Sequence, residues 1–155
     1  WGAVAGVAVF AGVSAFGDDT TRNDQNEIIE SGGLGAFAIE VDDCLNLPSE
    51  DFDEMTSVEG VPCSQAHNAQ AYALFDLTGF SDAFPGEAAF EEQAGAGCFD
   101  KFESFVGVPY EQSELYFNWL TPTEESWVQI DDREIICLVV PESGTFSYDA
   151  RNSKR

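Results

Sequence analysis

Apolar and polar positions follow two different periods along this chain, and the periods divide it into elements. Residues 1–16, "WGAVAGVAVFAGVSAF", carry no charge and one clearly polar side chain, Ser14. As a helix they would reach roughly 24 Å at about 1.5 Å per residue. That is slightly short of the about 20 residues a bilayer core requires. Because residue 1 is not Met, the expectation is a transmembrane helix over 1–17 that lacks its first turn, in preference to a cleaved signal peptide. Gly2 and Gly6 have GxxxG spacing, which predicts a face for close packing against another helix. Asp18 and Asp19 follow directly, and Arg22 is the only base nearby. Basic flanks stay in the cytoplasm, so the remainder is expected outside. Residues 18–36, polar and ending in "SGGLGA", are expected to be a flexible linker.

From 37 to 150 the pattern is that of one folded domain. "AFAIEVDDCLNL" alternates in part and predicts a first strand; "PSEDFDEM" follows as an acidic turn. "TSVEGVP" predicts a short strand and "AQAYALFDL" a strong one. In "EAAFEEQAGAGCFDKFESFVG" Phe90, Ala94, Cys98, Phe102 and Val106 recur every fourth residue, which puts one apolar face on a helix. Gly95 and Gly97 weaken that helix by roughly 1 kcal/mol each, so its glycine face is expected to pack closely on something. "SELYFNWLTP" predicts a strand, "TEESW" a short helical turn with Thr123 as N-cap, "REIICLVV" a buried strand and "GTFSYDA" a final short one. The order β-β-β-α-β-β-β predicts an α+β domain, a mostly antiparallel sheet with one covering helix. Residues 151–155 form a basic tail.

Charge changes this picture. Asp and Glu number 29 against 6 Lys and Arg, for a net charge of −23. Arg151, Lys154 and Arg155 supply half of the bases, which leaves Arg22, Lys101 and Arg133 for the body. Such a surface repels nucleic acid and anionic headgroups and suits either solubility outside the cell or a basic partner. At 44% apolar and 13% aromatic residues, the chain has the material for a core.

Cys44, Cys63, Cys98 and Cys137 are scattered, with no CxxC pair. Zinc sites present close ligand pairs, so no metal is expected. Four isolated cysteines in an exported domain predict two disulfides. Three pairings are open. The favoured one is Cys44–Cys137 with Cys63–Cys98, because the second bridge would tie the helix to the central strand.

The runs "VDDCLNLP", "VPCSQAHNAQAYALFDL", "FPGEAAFEEQAGAGCFDKFESFVG" and "LTPTEESWVQIDDREIICLVV" together resemble the septum-formation family of actinobacterial membrane proteins. The resemblance covers roughly residues 40 to 150. It implies a membrane-anchored, extracytoplasmic domain with paired cysteines. The family's His-Asp-x-Glu segment reads His67-Asn68-Ala69-Gln70 here, so two carboxylates have become amides. Its Gly-Asp-Arg reads Asp131-Asp132-Arg133.

His67 is the only histidine, and catalysis needs a second titrating group or a nucleophile beside it. Asn68 and Gln70 exchange no protons at neutral pH, and no Gly-x-Ser-x-Gly is present. His67 is therefore expected to bond the backbone near the Cys63 bridge, and no catalytic residue is assigned. Arg133 is expected in a structural salt bridge, Trp119 and Trp127 in the core. The acidic turn lacks EF-hand spacing.

Two functions remain. One is a non-catalytic, single-pass membrane protein whose C-terminal domain is an accessory subunit of a division, respiratory or transport complex. It would use no cofactor and would meet envelope proteins, some with basic surfaces. The other is an envelope ligand-binding domain or enzyme with a cleft around His67, Asp43 and Arg133, in which Trp127 is a further contact candidate.

Overall fold

The computed structural model describes residues 3–7, 16–48 and 57–155. Its strands, in chain order, begin with β1 (Ala3–Val7), β2 (Thr21–Arg22), β3 (Ile28–Glu30) and β4 (Gly32–Gly35). Then follow β5 (Cys44–Asn46), β6 (Ser57–Val61), β7 (Ala69–Asp76), β8 (Tyr116–Pro122) and β9 (Glu134–Val140). The helices are α1 (Glu91–Val106) and α2 (Glu124–Ile130). One seven-stranded sheet runs in the order β1-β8-β9-β7-β5-β6-β4, and β2 and β3 form a separate hairpin. Among the described residues every strand pair is antiparallel except β1 with β8. The α+β class and the mostly antiparallel sheet agree with expectation.

Side chains alternate across β9 as period two requires. Ile135, Cys137 and Val139 face α1 and join Tyr72, Phe90, Phe102, Trp119 and Trp127. Ile136 and Leu138 face the other way, into a second cluster with Leu34, Leu45, Val58 and Leu120, to which Ile28 and Ile39 add. α1 places Ala94, Cys98, Phe102 and Val106 inward, as its four-residue period predicts. Gly97 is explained by close approach: a Cβ there would lie 2.4 Å from the Phe75 ring. Gly107 ends α1 at φ 95°, a left-handed conformation that glycine adopts without strain. Thr123 caps α2 as expected: its Oγ1 accepts from the Ser126 N–H, and Ser126 Oγ accepts from the Thr123 N–H.

Several expectations need correction. Ala3–Val7 are extended, not helical, and pair along β8 with Gly6 opposite Thr121. Gly2 and residues 8–15 of the expected span lie outside the described residues, as does most of the acidic turn. No described helix is long and apolar enough to cross a membrane. Residues 18–35 do not behave as a linker. They form the β2–β3 hairpin and β4, and Asp19 N–H donates to Gly33 C=O at 2.8 Å. Side-chain bonds that the sequence does not announce hold them there. The strand predicted at 36–47 is a 3-10 turn, Ala36–Ala38, followed by the three residues of β5. "GTFSYDA" forms no strand; Phe146 makes one bridge with His67.

All four cysteines are paired, as Cys44–Cys63 and Cys98–Cys137. The favoured pairing was wrong. Cys44 in β5 lies opposite Val61 at the end of β6, two residues from Cys63, so the nearest partner is local. Cys137 faces α1 and meets Cys98 there. The helix is tied to the sheet, but to β9. The basic tail is also docked, since Arg151 Nε lies 2.6 Å from Asp42 Oδ1 and Lys154 N–H donates to Val106 C=O.

Candidate functional site

Two ends of the sheet carry the polar side chains of interest. At the β5 end, the chain turns through Asp42 at φ 83° and buries Asp43 to 4% exposure. Arg22, from β2, meets Asp43 with both terminal nitrogens, at 2.7 and 2.9 Å. The same guanidinium donates from Nε to Asp18 at 2.8 Å and from Nη1 to the Asn26 carbonyl. The Asp43 hydrogen bonds, set against the cost of burial, and the Asp18 bond hold Arg22 more firmly charged than usual. Asp18 is held below the usual carboxylate range: burial pushes it up, and bonds from Thr20 and Arg22 outweigh that.

Gln70 sits beside this pair, fully buried. Its amide accepts from Ala150 N–H at 2.7 Å and donates to Asp149 Oδ1 at 2.8 Å and to the Asp42 carbonyl at 3.2 Å. Asn68 makes a two-way bond with Leu47, accepting from its N–H at 2.7 Å and donating to its carbonyl at 2.9 Å. Both residues that stand where the resembling pattern has carboxylates therefore use their amide donors, which a carboxylate lacks. A carboxylate at 70 would also face Asp149.

His67 is fully buried against Phe146, ring centroids 4.2 Å apart. Its Nδ1–H donates to the Gln65 carbonyl at 2.7 Å, which fixes the neutral tautomer. Nε2 is buried with no partner. The expected role, bonding backbone next to Cys63, agrees with this geometry. Burial lowers the His67 pKa, and the Gln65 bond and nearby Asp149 only partly oppose it. A group that prefers its neutral form when folded stabilises the fold above its unfolded pKa, about 6.5. That contribution is lost as pH falls from there toward the depressed folded value. Asp132 and Glu134 act in the opposite sense. Burial raises both, so their effect favours the fold as pH falls. Equilibrium unfolding between about pH 7 and 5 should therefore show a proton-linked loss of stability that His67→Ala removes. A slope that persists in the variant would place the linkage elsewhere.

Arg133 and Trp127 lie at the opposite end. The Arg133 guanidinium covers the Trp127 ring at 3.5 Å, donates to the Trp127 and Asp132 carbonyls, and pairs with Asp131 at 2.8 Å. The salt bridge is as expected. Trp127 is 1% exposed, its ring stacked on Phe90 and its Nε1–H bonded to the Asp82 carbonyl, so it is core and not a contact surface. Trp119 is core too. From Gln70 to Asp76, β7 pairs with β9 from Val139 to Glu134. That separates the two ends by roughly 20 Å at about 3.3 Å per residue. His67, Asp43 and Arg133 do not share a cleft.

Each end does have a depression. A cleft of about 690 Å³ opens between the β2–β3 hairpin, the Cys44–Cys63 bridge and the segment 147–151, with Asp43 in its wall. A shallower one of about 550 Å³ lies at Arg133. Among the described residues, no group of three or more His, Cys, Asp or Glu could hold a metal ion.

The family model described as septum formation matches residues 15–137, most of the chain. The chain belongs to the septum formation family. No curated protein and no solved structure gives a significant match. The family description points this septum formation domain to cell division. The matched region contains the hairpin, both disulfides and both depressions up to Cys137. Arg22 is the residue that sequence reasoning missed. Its signal was arithmetic: a body with three bases has few cations to offer a buried aspartate.

Proposed function

We propose that the chain is a non-catalytic interaction domain that works outside the cytoplasmic membrane, in a cell-envelope assembly serving septum formation. One observation carries this most: the polar side chains best suited to chemistry are committed to internal bonds. Asp43 holds Arg22, Asn68 and Gln70 hold backbone, Arg133 covers Trp127, and His67 is sealed behind Phe146. The family, the two disulfides and the net charge of −23 support the same reading. Attachment to the membrane and a role as accessory subunit are part of the proposal.

The test has two arms. The chain fused to a reporter that fluoresces outside the cytoplasm should concentrate at the division site, and membrane proteins should crosslink to it there. Uniform distribution with no crosslinks would sink the interaction role. Purified chain that turns over an envelope substrate, with turnover lost in His67→Ala, would sink the non-catalytic part.

A further inference from the structure

The cleft at the Cys44–Cys63 bridge combines two features that are costly to leave open to water. The first is apolar surface. Ile29 is 51% exposed and Val41 39% exposed, and both line this cleft beside Pro62. The second is an excess of negative charge. Asp43 and Asp42 are each matched by an arginine. Glu27 and Asp149 also line the cleft, and among the described residues neither is in a salt bridge. Glu27 accepts from the Asn23 amide, and Asp149 from Gln70 and the Arg151 N–H. These neutral donors position the carboxylates; the Arg151 side chain, paired with Asp42, attracts Asp149 without an ion pair to it.

We propose that this cleft binds a short segment of a partner protein in which a lysine or arginine adjoins an aliphatic side chain. Glu27 or Asp149 takes the cation, and Ile29, Val41 and Pro62 take the aliphatic group. Charge complementarity selects this occupant. The cleft lining carries four carboxylates, Glu27, Asp42, Asp43 and Asp149, against Arg151, and a charge of −23 repels anionic segments before they arrive. The walls are prepared: the disulfide fixes Cys44 to Cys63, and the Arg22–Asp43 pair pins the hairpin. Little ordering is left to be done on binding. This inference rests on the interaction-domain reading above and names the surface it would use.

The probe is a short fluorescent peptide of alternating lysine and valine, titrated with the full chain at about 0.15 M salt, where diffuse attraction is screened. Binding should weaken on the order of ten-fold in Glu27→Gln with Asp149→Asn, and similarly in Ile29→Ser with Val41→Ser. Both sets keep the hydrogen-bond acceptors or change exposed side chains, and thermal melts will confirm folding. Glu92→Gln with Glu103→Gln removes the same charge from the exposed face of α1 and should leave affinity unchanged. A glutamate–valine peptide should not bind. The inference is overturned if the lysine–valine peptide fails to bind, if the α1 pair weakens it equally, or if the Ile29 and Val41 changes have no effect. Crosslinking in cells separates this failure from the larger one. Partners that crosslink equally to wild type and cleft variants refute the cleft and leave the interaction role standing. Loss of all partners from wild type refutes that role itself.

Discussion

Arg22→Met should destabilise the domain by about 3–5 kcal/mol, because it strands a buried carboxylate. Asp43 is 4% exposed and receives two of the Arg22 nitrogens, so removing the guanidinium leaves its charge buried without those two bonds. The Arg22 side chain keeps 14% exposure, which places the expected cost toward the lower end of the range. Adding Asp43→Asn should recover part of the loss: the amide oxygen can still accept from the Glu40 N–H, which Asp43 does at 2.9 Å, and no charge is left unpaired. Chemical denaturation of wild type, both single variants and the double variant closes the cycle. Simple additivity of the two single losses would show that the pair is not coupled.

The second large effect concerns Cys98–Cys137. Replacing both with alanine should cost about 4 kcal/mol by loop closure across its separation of 39 residues, against about 3 for Cys44–Cys63 at 19. The packing consequence points the same way, since Cys98 and Cys137 are fully buried between α1 and β9. Accessibility then sets an order of reduction. Cys63 is half-buried at the cleft, so mild reductant on folded protein should expose the Cys44–Cys63 thiols to alkylation first. Unreduced, denatured protein should label at none of the four. Labelling of Cys98 and Cys137 before the other pair would contradict the packing described.

The elements with strong periods were legible in the sequence. α1, β7, β8 and β9 lie within a few residues of where alternation and the four-residue spacing put them, and so does the Thr123 cap. Those signals are local: each records which face of an element is buried. Residues 18–35 failed for the opposite reason. Their few apolar residues, Ile28, Ile29 and Leu34, follow no regular period; Ile28 and Leu34 are buried in the second cluster, and the hairpin is further held by Arg22 reaching Asp43, 21 residues away. A mostly polar stretch anchored by two buried side chains and an ion pair looks like a solvated one. The disulfides were legible in number but not in pairing, because pairing depends on which strands become neighbours. His67 was readable as a loop-fixing residue once its neighbours proved to be amides. The separation of Asp43 from Arg133 was not, since it follows from the length and register of β7 against β9. The cleft itself was invisible, being made of residues from the hairpin, β5 and the segment near 149.

The docking of residues 149–155 has a kinetic consequence. Arg151 reaches Asp42 across 109 positions of sequence, and Ala150 N–H reaches Gln70 across 80. Asn152 and Lys154 donate to the Phe105 and Val106 carbonyls, and the Arg155 carbonyl accepts from Ser113. These contacts hold together the turn at Asp42, the end of α1 and the start of β7. Until 149–155 have arrived, the buried Gln70 amide lacks its Ala150 and Asp149 partners and the Asp42 carboxylate lacks Arg151. Contacts of such long range form slowly, because their closing entropy comes before their reward. A chain emerging from a narrow channel would stay incompletely assembled, exposed to proteases and to chaperones, until this short stretch is released.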